Sequence, residues 1–245
     1  MVRSLDHTQR RNAVLSATVH SYINNAEPVS SEGLAKEFSC SSATIRSVFS
    51  QLEDEGYLTH THISSGRIPT DRGYRYYVDF FTKQIQILED QKRIVQEEYV
   101  NCLSRLDDLL DKTTHIVSSL TKNAGLVSCI EFGDKLFFDG TSYVLEQPEF
   151  KDVTRIKRLV KLLEEKHKLI DIINRDIESK INIYIGNELC CPEIDECALI
   201  VVSYSSKNMP KGRIAVLGPK RMHYPQLISA VSYISDVLSN LLDEV

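Results

Sequence analysis

The chain has 245 residues, 42% of them hydrophobic, which is enough to bury a core in one large or two small domains, and two are expected. Its net charge of -5 and pI near 5.8 exclude a protein that coats nucleic acid by bulk charge, although a local basic face can sit inside an acidic whole. No signal-peptide pattern opens the chain and no apolar run approaches the roughly 18 to 20 residues that span a bilayer, so a soluble cytoplasmic protein without a membrane partner is expected.

Asp6 with Gln9 three positions on reads as a capping box, and Val14, Leu15, Thr18, Val19, Tyr22 and Ile23 then recur at helical spacing to about Asn25. Glu27-Pro28 ends that helix, because proline lacks the backbone donor and pushes the residue before it out of helical geometry. Ser30 or Ser31 caps a short second helix, Glu32 to Phe38, and Ser41 or Ser42 caps a third, Ser42 to Glu55. Ile45, Val48, Phe49 and Leu52 form the inner stripe of the third helix. The opposite face and its flanks carry Ser42, Ala43, Thr44, Arg46, Ser47, Ser50 and Gln51, with the acids Glu53, Asp54 and Glu55 confined to the far end.

Gly56 ends the third helix, and Leu58 to Ile63 alternates like a strand, followed by Ser64-Ser65-Gly66 as a turn and Arg67 at its tip. Helix, turn, helix and extended loop in that order predict a winged helix-turn-helix that places its third helix in the major groove of double-stranded DNA. From Met1 to Phe80 there are eight Lys and Arg against nine Asp and Glu, so affinity must come from placed residues. The candidates are Ser42, Thr44, Arg46, Ser47 and Ser50 on the helix and His62 and Arg67 on the wing, with Arg46 for a guanine edge or phosphate and Arg67 for a phosphate or the minor groove. His60 and His62 share a strand face and read as polar surface, since two histidines alone do not make a zinc site.

Glu27-Pro28-Val29, Ala43-Thr44-Ile45-Arg46, Leu52-Glu53, Gly56-Tyr57-Leu58 and above all Ser65-Gly66-Arg67-Ile68-Pro69-Thr70 with Gly73-Tyr74-Arg75 and Tyr77-Val78-Asp79 resemble the heat-inducible transcription repressor HrcA family of bacteria. Two positions depart from it: Ser30 stands where the family commonly has glycine, and Ser47, on the expected DNA face, where it commonly has asparagine. The resemblance implies an inverted-repeat operator before chaperone operons, repression relieved on heat shock, and a chaperonin that helps to keep the repressor folded.

Thr70 or Asp71 caps the next helix, with Tyr74, Tyr77, Val78, Phe81, Ile85 and Leu88 as its stripe. Between Gln91 and Lys122 no proline or glycine occurs, and Tyr99, Leu103, Leu106, Leu110, Thr113, Val117 and Leu120 follow at spacings of four and three, which predicts one long helix able to carry a homodimer contact or to pack within the chain. Leu126 to Ile130 and Lys135 to Phe138 then read as two strands around Gly133-Asp134. Pro148-Glu149-Phe150 introduces an amphipathic helix with Val153, Ile156, Leu159, Val160, Leu163 and Ile170 inward. Strands at Ile181 to Ile185, Ala198 to Tyr204 and Arg213 to Leu217 precede a last helix from Pro225, with Leu227, Ile228, Val231, Ile234, Leu238 and Leu241 inward.

The expected fold class is α+β and multidomain: the winged helix-turn-helix over 1–82, a long helical connector over 83–122 and an α+β domain over 123–245. Asp139-Gly140, Gln147 to Phe150, Ile185 to Glu188 and Gly218-Pro219-Lys220-Arg221-Met222 with Tyr224-Pro225 extend the HrcA resemblance and imply a GAF-like domain. The family's usual long insertion, which includes a dimerisation domain, has no counterpart where Asn123 to Gly140 joins directly.

Of the six cysteines, Cys190, Cys191 and Cys197 cluster, yet no C-x-x-C spacing occurs, so reduced thiols and no metal or other cofactor are expected. Phosphate loops, dinucleotide fingerprints, H-E-x-x-H and G-x-S-x-G are absent, and no enzyme activity is expected. Gly186-Asn187-Glu188 and Gly218 to Arg221 read as turns, with Lys220-Arg221 a solvated pair. Two other readings stay open: a small-molecule sensor using the C-terminal domain, and a protein-interaction module that has lost DNA binding.

Overall fold

The computed structural model describes residues 7–62, 65–81, 87–99, 106–130, 135–206 and 211–244. Two compact units divide the chain, Met1–Lys83 and Gln84–Val245.

In the first unit, helix α1 (His7–Asn25) buries Val14, Leu15, Thr18, Val19 and Ile23, the spacing that puts one stripe inward. Its expected cap, Asp6, lies outside the described residues. Ala26 turns the chain with φ 54°, and α2 (Ser31–Glu37) starts where Ser30 Oγ accepts from the Gly33 N–H at 3.1 Å. Helix α3 (Ser42–Asp54) is capped in the same way by Ser41, which accepts from the Thr44 N–H at 3.1 Å, and buries Ile45, Val48, Phe49 and Leu52. It ends because Gly56, at φ 75°, lets the Tyr57 N–H reach back to Leu52 O at 2.8 Å and its own N–H reach Glu53 O at 2.9 Å.

The extended segment is shorter than its alternation predicts. Only β1 (Leu58–Thr59) pairs, antiparallel with β2 (Ile68–Pro69), in the register Leu58 to Pro69 and Thr59 to Ile68. Residues 60–62 leave the ladder, and Ile63 and Ser64 lie outside the described residues. Helix α4 (Asp71–Phe81) buries Tyr74, Tyr77 and Val78. Ile85 of its expected stripe falls outside the described residues, and Leu88, 68% exposed, does not continue the buried face.

The second unit contains a five-stranded antiparallel sheet. Its strands are β3 (Ala124–Cys129), β4 (Lys135–Asp139), β5 (Ile181–Ile185), β6 (Cys197–Tyr204) and β7 (Gly212–Pro219), in the spatial order β4-β3-β7-β6-β5. Alternation sorts the side chains to two faces. Ala124, Leu126, Leu136, Tyr184, Leu199, Val201, Ala215 and Leu217 share one core with α7 (Thr141–Leu145), α8 (Val153–Glu164) and α9 (Lys166–Ile173). The other face lies under α6 (Leu106–Thr121) and α10 (Tyr224–Glu244). A Cβ on Gly125 would lie 2.7 Å from Thr114 O, so α6 approaches the sheet closely there. Burial on both faces explains why β6 and β7 read as continuous apolar runs.

Three sequence expectations need correction. The long helix over 91–122 is two helices, α5 (Glu89–Tyr99) and α6, which double back on each other. Tyr99 Oη and Thr113 Oγ1 are hydrogen-bonded at 2.7 Å, whereas residues that far apart on one straight helix stand about 21 Å apart. Tyr99, Leu110, Thr113 and Val117 of that stripe are buried in this unit, and Leu103 lies outside the described residues. The single amphipathic helix after Phe150 breaks at Glu165, whose ψ of 60° is not helical. Val153 and Val160 are 60% and 41% exposed, while Leu162 supplies the inward contact. In α10, Leu242 and not Leu241 is the buried residue.

Candidate nucleic-acid interface

The caps fix the face that α3 presents. Ser42 and Thr44 are half-buried at its N-terminal end, and Ala43, Arg46, Ser47 and Ser50 are exposed. Arg46 folds along its own helix, with Nη2 donating to Ser42 Oγ at 3.0 Å and Nε to Ser42 O at 3.4 Å. Among the described residues no carboxylate pairs with Arg46. Thr44 Oγ1 meets Ser41 Oγ at 2.9 Å, so that hydroxyl is held within the cap.

Two of the three acids at the other end of α3 are occupied, and the third, Asp54, is exposed. Glu55 Oε2 pairs with Arg11 Nη1 of α1 at 2.6 Å, and Gln51 Nε2 donates to its other oxygen at 2.9 Å. Glu53 pairs with His60 through Oε1 and with Arg67 Nη2 through Oε2, the latter at 2.9 Å. Glu53 thereby becomes the anchor of the ribbon, and the charges of Glu53 and Glu55 are offset by their partners.

Arg67 corrects the sequence reading most. Instead of standing free at a tip, its backbone pairs with Val29 in both directions at 2.9 Å, and Nη1 donates to Ser65 O at 2.9 Å. Its guanidinium lies 5.9 Å from the Phe49 ring centre. The side chain is 19% exposed. The surrounding motif has the same character. A Cβ on Gly66 would come within 2.7 Å of the Pro28 and Val29 backbone, and one on Gly73 within 2.3 Å of Tyr57 O. Thr70 Oγ1 donates to Gly56 O at 2.7 Å and caps α4 by accepting from the Gly73 N–H at 3.2 Å. Ser65-Gly66-Arg67-Ile68-Pro69-Thr70 with Gly73 thus clamps the ribbon onto the helices. His62 remains exposed in the loop, its N–H donating to Ser65 Oγ at 3.1 Å and its carbonyl accepting from the same hydroxyl at 2.6 Å.

Sequence reasoning put the α3 candidates on the outer face and its flanks, and Arg46, Ser47 and Ser50 are exposed there with Ser42 and Thr44 half-buried. It missed Glu53 as the hub of the loop. The available signal was an acid in α3 and an arginine in the loop after it, which spacing alone does not pair.

In the second unit, Arg221 is not solvated. It pairs with Glu149 Oε1 at 2.6 Å and donates to Gln147 Oε1 at 2.8 Å, which ties the Gly218 turn to the Gln147-Pro148-Glu149 turn. Cys191 donates its S–H to Glu193 at 3.2 Å; burial and this bond push the thiol up to about 11 and the bond helps to hold Glu193 near 2. Among the described residues no group of three His, Cys, Asp or Glu side chains is placed to hold a metal ion. A cavity lined by Phe150, Arg155, Arg158 and Glu193 to Cys197 has about 90 Å³, small for a metabolite. No helix among the described residues is long and apolar enough to cross a membrane.

Fold and face together define a two-unit α+β protein. Its first unit presents a short, capped helix with a polar outer face beside a clamped two-stranded ribbon. The chain belongs to the HrcA family: residues 88–228 match the family model described as HrcA protein C terminal domain. It is similar to the heat-inducible transcription repressor HrcA of Carboxydothermus hydrogenoformans, 26% identical over 334 aligned positions that take in 96% of this chain and 98% of that protein. The protein of the same name from Pelotomaculum thermopropionicum is 26% identical over 337 positions, covering 96% and 97%. These alignments are longer than the 245 residues here, so the relatives carry stretches without a counterpart in this chain. A crystal structure of a hypothetical protein shares the fold, with a TM-score of 0.82 at 18% identity over 98% of this chain and 99% of that one.

Proposed function

We propose that this chain is a cytoplasmic, DNA-binding transcription repressor of heat-shock operons that acts as a homodimer at an inverted-repeat operator and has no catalytic role. The first unit then works as a winged helix-turn-helix. Helix α3 enters the major groove by its N-terminal half, and the ribbon loop lies along the backbone or minor groove. Arg46 makes the principal contact, to a guanine edge or a phosphate, and Ser42, Thr44, Ser47 and Ser50 donate to phosphates or bases. His62 is the loop residue that reaches DNA. Arg67 contributes by holding the loop in place.

The carrying observation is the charge layout of α3: Arg46 is exposed without a carboxylate partner among the described residues, while Glu53 and Glu55 at the other end are consumed by Arg67, His60 and Arg11. A unit with more acids than bases acquires a cationic docking end in this way. Similarity to proteins named heat-inducible transcription repressors supports the regulatory role. Relief of repression follows if the folded population falls steeply over a modest temperature rise, with a chaperonin restoring it.

Footprinting on chromosomal fragments tests this reading. We expect protection of an inverted repeat upstream of chaperone genes, weakening at heat-shock temperature. Absence of protection on every fragment would overturn it.

A further inference from the structure

Strand β4 closes the sheet of the second unit on one side, and among the described residues no strand pairs with its outer edge. An open edge is a template for another strand, and natural proteins blunt such edges unless they use them. A groove of about 530 Å³ runs beside β4, lined by Asp108, Asp111, Lys112 and His115 of α6 with Phe138 and Asp139 of the strand. Phe138 is 40% exposed, with the Lys166 ammonium 5.9 Å from its ring centre.

The sequence of the edge selects what fits it. β4 reads Lys135-Leu136-Phe137-Phe138-Asp139. Laid antiparallel against itself about Phe137, it sets Lys135 opposite the partner's Asp139, Leu136 opposite the partner's Phe138, and Phe137 opposite the partner's Phe137. Each cross-strand pair is favourable, opposite charges at the ends and apolar or aromatic groups between. At present Lys135 is held by Asp107 at 2.8 Å, and Asp139 by His115 and Ser118 at 2.9 Å each, all from α6, which fixes both end charges at the edge. The opposite edge, β5, reads Ile-Asn-Ile-Tyr-Ile and carries no charge to set a register.

We infer that β4 pairs with β4 of a second copy of this chain, giving a two-fold dimer with one continuous ten-stranded sheet. Such an interface is isologous and closes on itself, so it yields dimers and not fibres. The inference deepens the homodimer reading above and rests on it for its role at an inverted repeat. The dimer itself is measured without DNA.

Sedimentation velocity over a concentration series and oxidative crosslinking test it on the full chain. Phe138→Lys sets like charges and a lost aromatic at the seam, and we expect the dimer dissociation constant to rise at least tenfold with the circular dichroism spectrum retained. Phe137→Cys places two thiols across the axis at a separation that a disulfide spans, roughly 4.5 to 5.5 Å between Cα atoms. It should give covalent dimer under mild oxidation well above the level of the parent chain and of Ile181→Cys on the other edge. A dimer that ignores Phe138→Lys and does not crosslink through position 137 would place the interface elsewhere and overturn the inference. A monomer at every concentration would overturn it too, and the footprint would still stand or fall separately.

Discussion

Replacing Arg67 with alanine separates the clamp from the DNA contact that its position suggests. The change removes the 2.9 Å pair with Glu53, the 2.9 Å bond to Ser65 O and the approach to Phe49 at 5.9 Å. A charge-assisted bond in a site this sheltered contributes about 1.5 to 3 kcal/mol, and a cation over a ring about 0.5 to 1 kcal/mol. Against these stands Arg67 Nε, buried without a partner among the described residues, which costs about 1 to 3 kcal/mol and disappears in the variant. The backbone ladder to Val29 survives. With both bonds counted, the balance is a loss of about 3 kcal/mol for the first unit, within the range for a broken buried network. Urea denaturation followed by far-ultraviolet circular dichroism reads it, since the chain has no tryptophan. A double-mutant cycle with Glu53→Ala should return a coupling of about 1 kcal/mol or more. Operator affinity should fall with the salt slope unchanged. Stability within about 0.5 kcal/mol of the parent, together with a salt slope shallower by about one, would make Arg67 a phosphate contact and refute the clamp.

Gly66→Ala forces a Cβ to within 2.7 Å of the Pro28 and Val29 backbone, which cannot swing away as a side chain does, so the first unit should lose about 2 kcal/mol or more; an unchanged urea midpoint would mean that the loop does not lie against Pro28. At pH 8, iodoacetamide should label Cys190, which is exposed, ahead of Cys191 and Cys197, whose thiols burial pushes up, and mass mapping that finds Cys191 modified as fast as Cys190 would contradict that environment. Labelling of Cys191 should accelerate as pH rises toward 11, where its thiolate forms.

Local signals carried the first unit far. Ser30 and Ser41 cap the helices that serine before an apolar stripe predicts, and Gly56 ends α3 in the left-handed conformation that glycine favours. The strand positions in the second unit were equally legible, because β-branched runs bounded by glycine and proline read the same in isolation as in the sheet. What escaped was non-local. Nothing in an unbroken heptad-like stripe marks the reversal between α5 and α6, since Tyr99 and Thr113 suit the seam of one long helix as well as the facing positions of two. Val160 is 41% exposed because the inward face of α8 runs through Leu159, Leu162 and Leu163. Arg67 looked free because its partner, Glu53, lies in another element. The Ser65 to Thr70 motif that carries the N-terminal resemblance makes contacts that hold the loop to the helices.

The claim that α3 recognises DNA through its N-terminal half is tested most directly by Arg46→Ala in anisotropy titrations of the inverted-repeat duplex and its single-base variants. Arg46 is exposed and among the described residues bonds to Ser42 alone, so stability should stay within about 0.5 kcal/mol of the parent. Binding should weaken by about 1 to 3 kcal/mol with discrimination relaxed at one base position, or uniformly with a shallower salt slope if the contact is to phosphate. Unchanged affinity and an unchanged slope would remove Arg46, and with it this face of α3, from the interface.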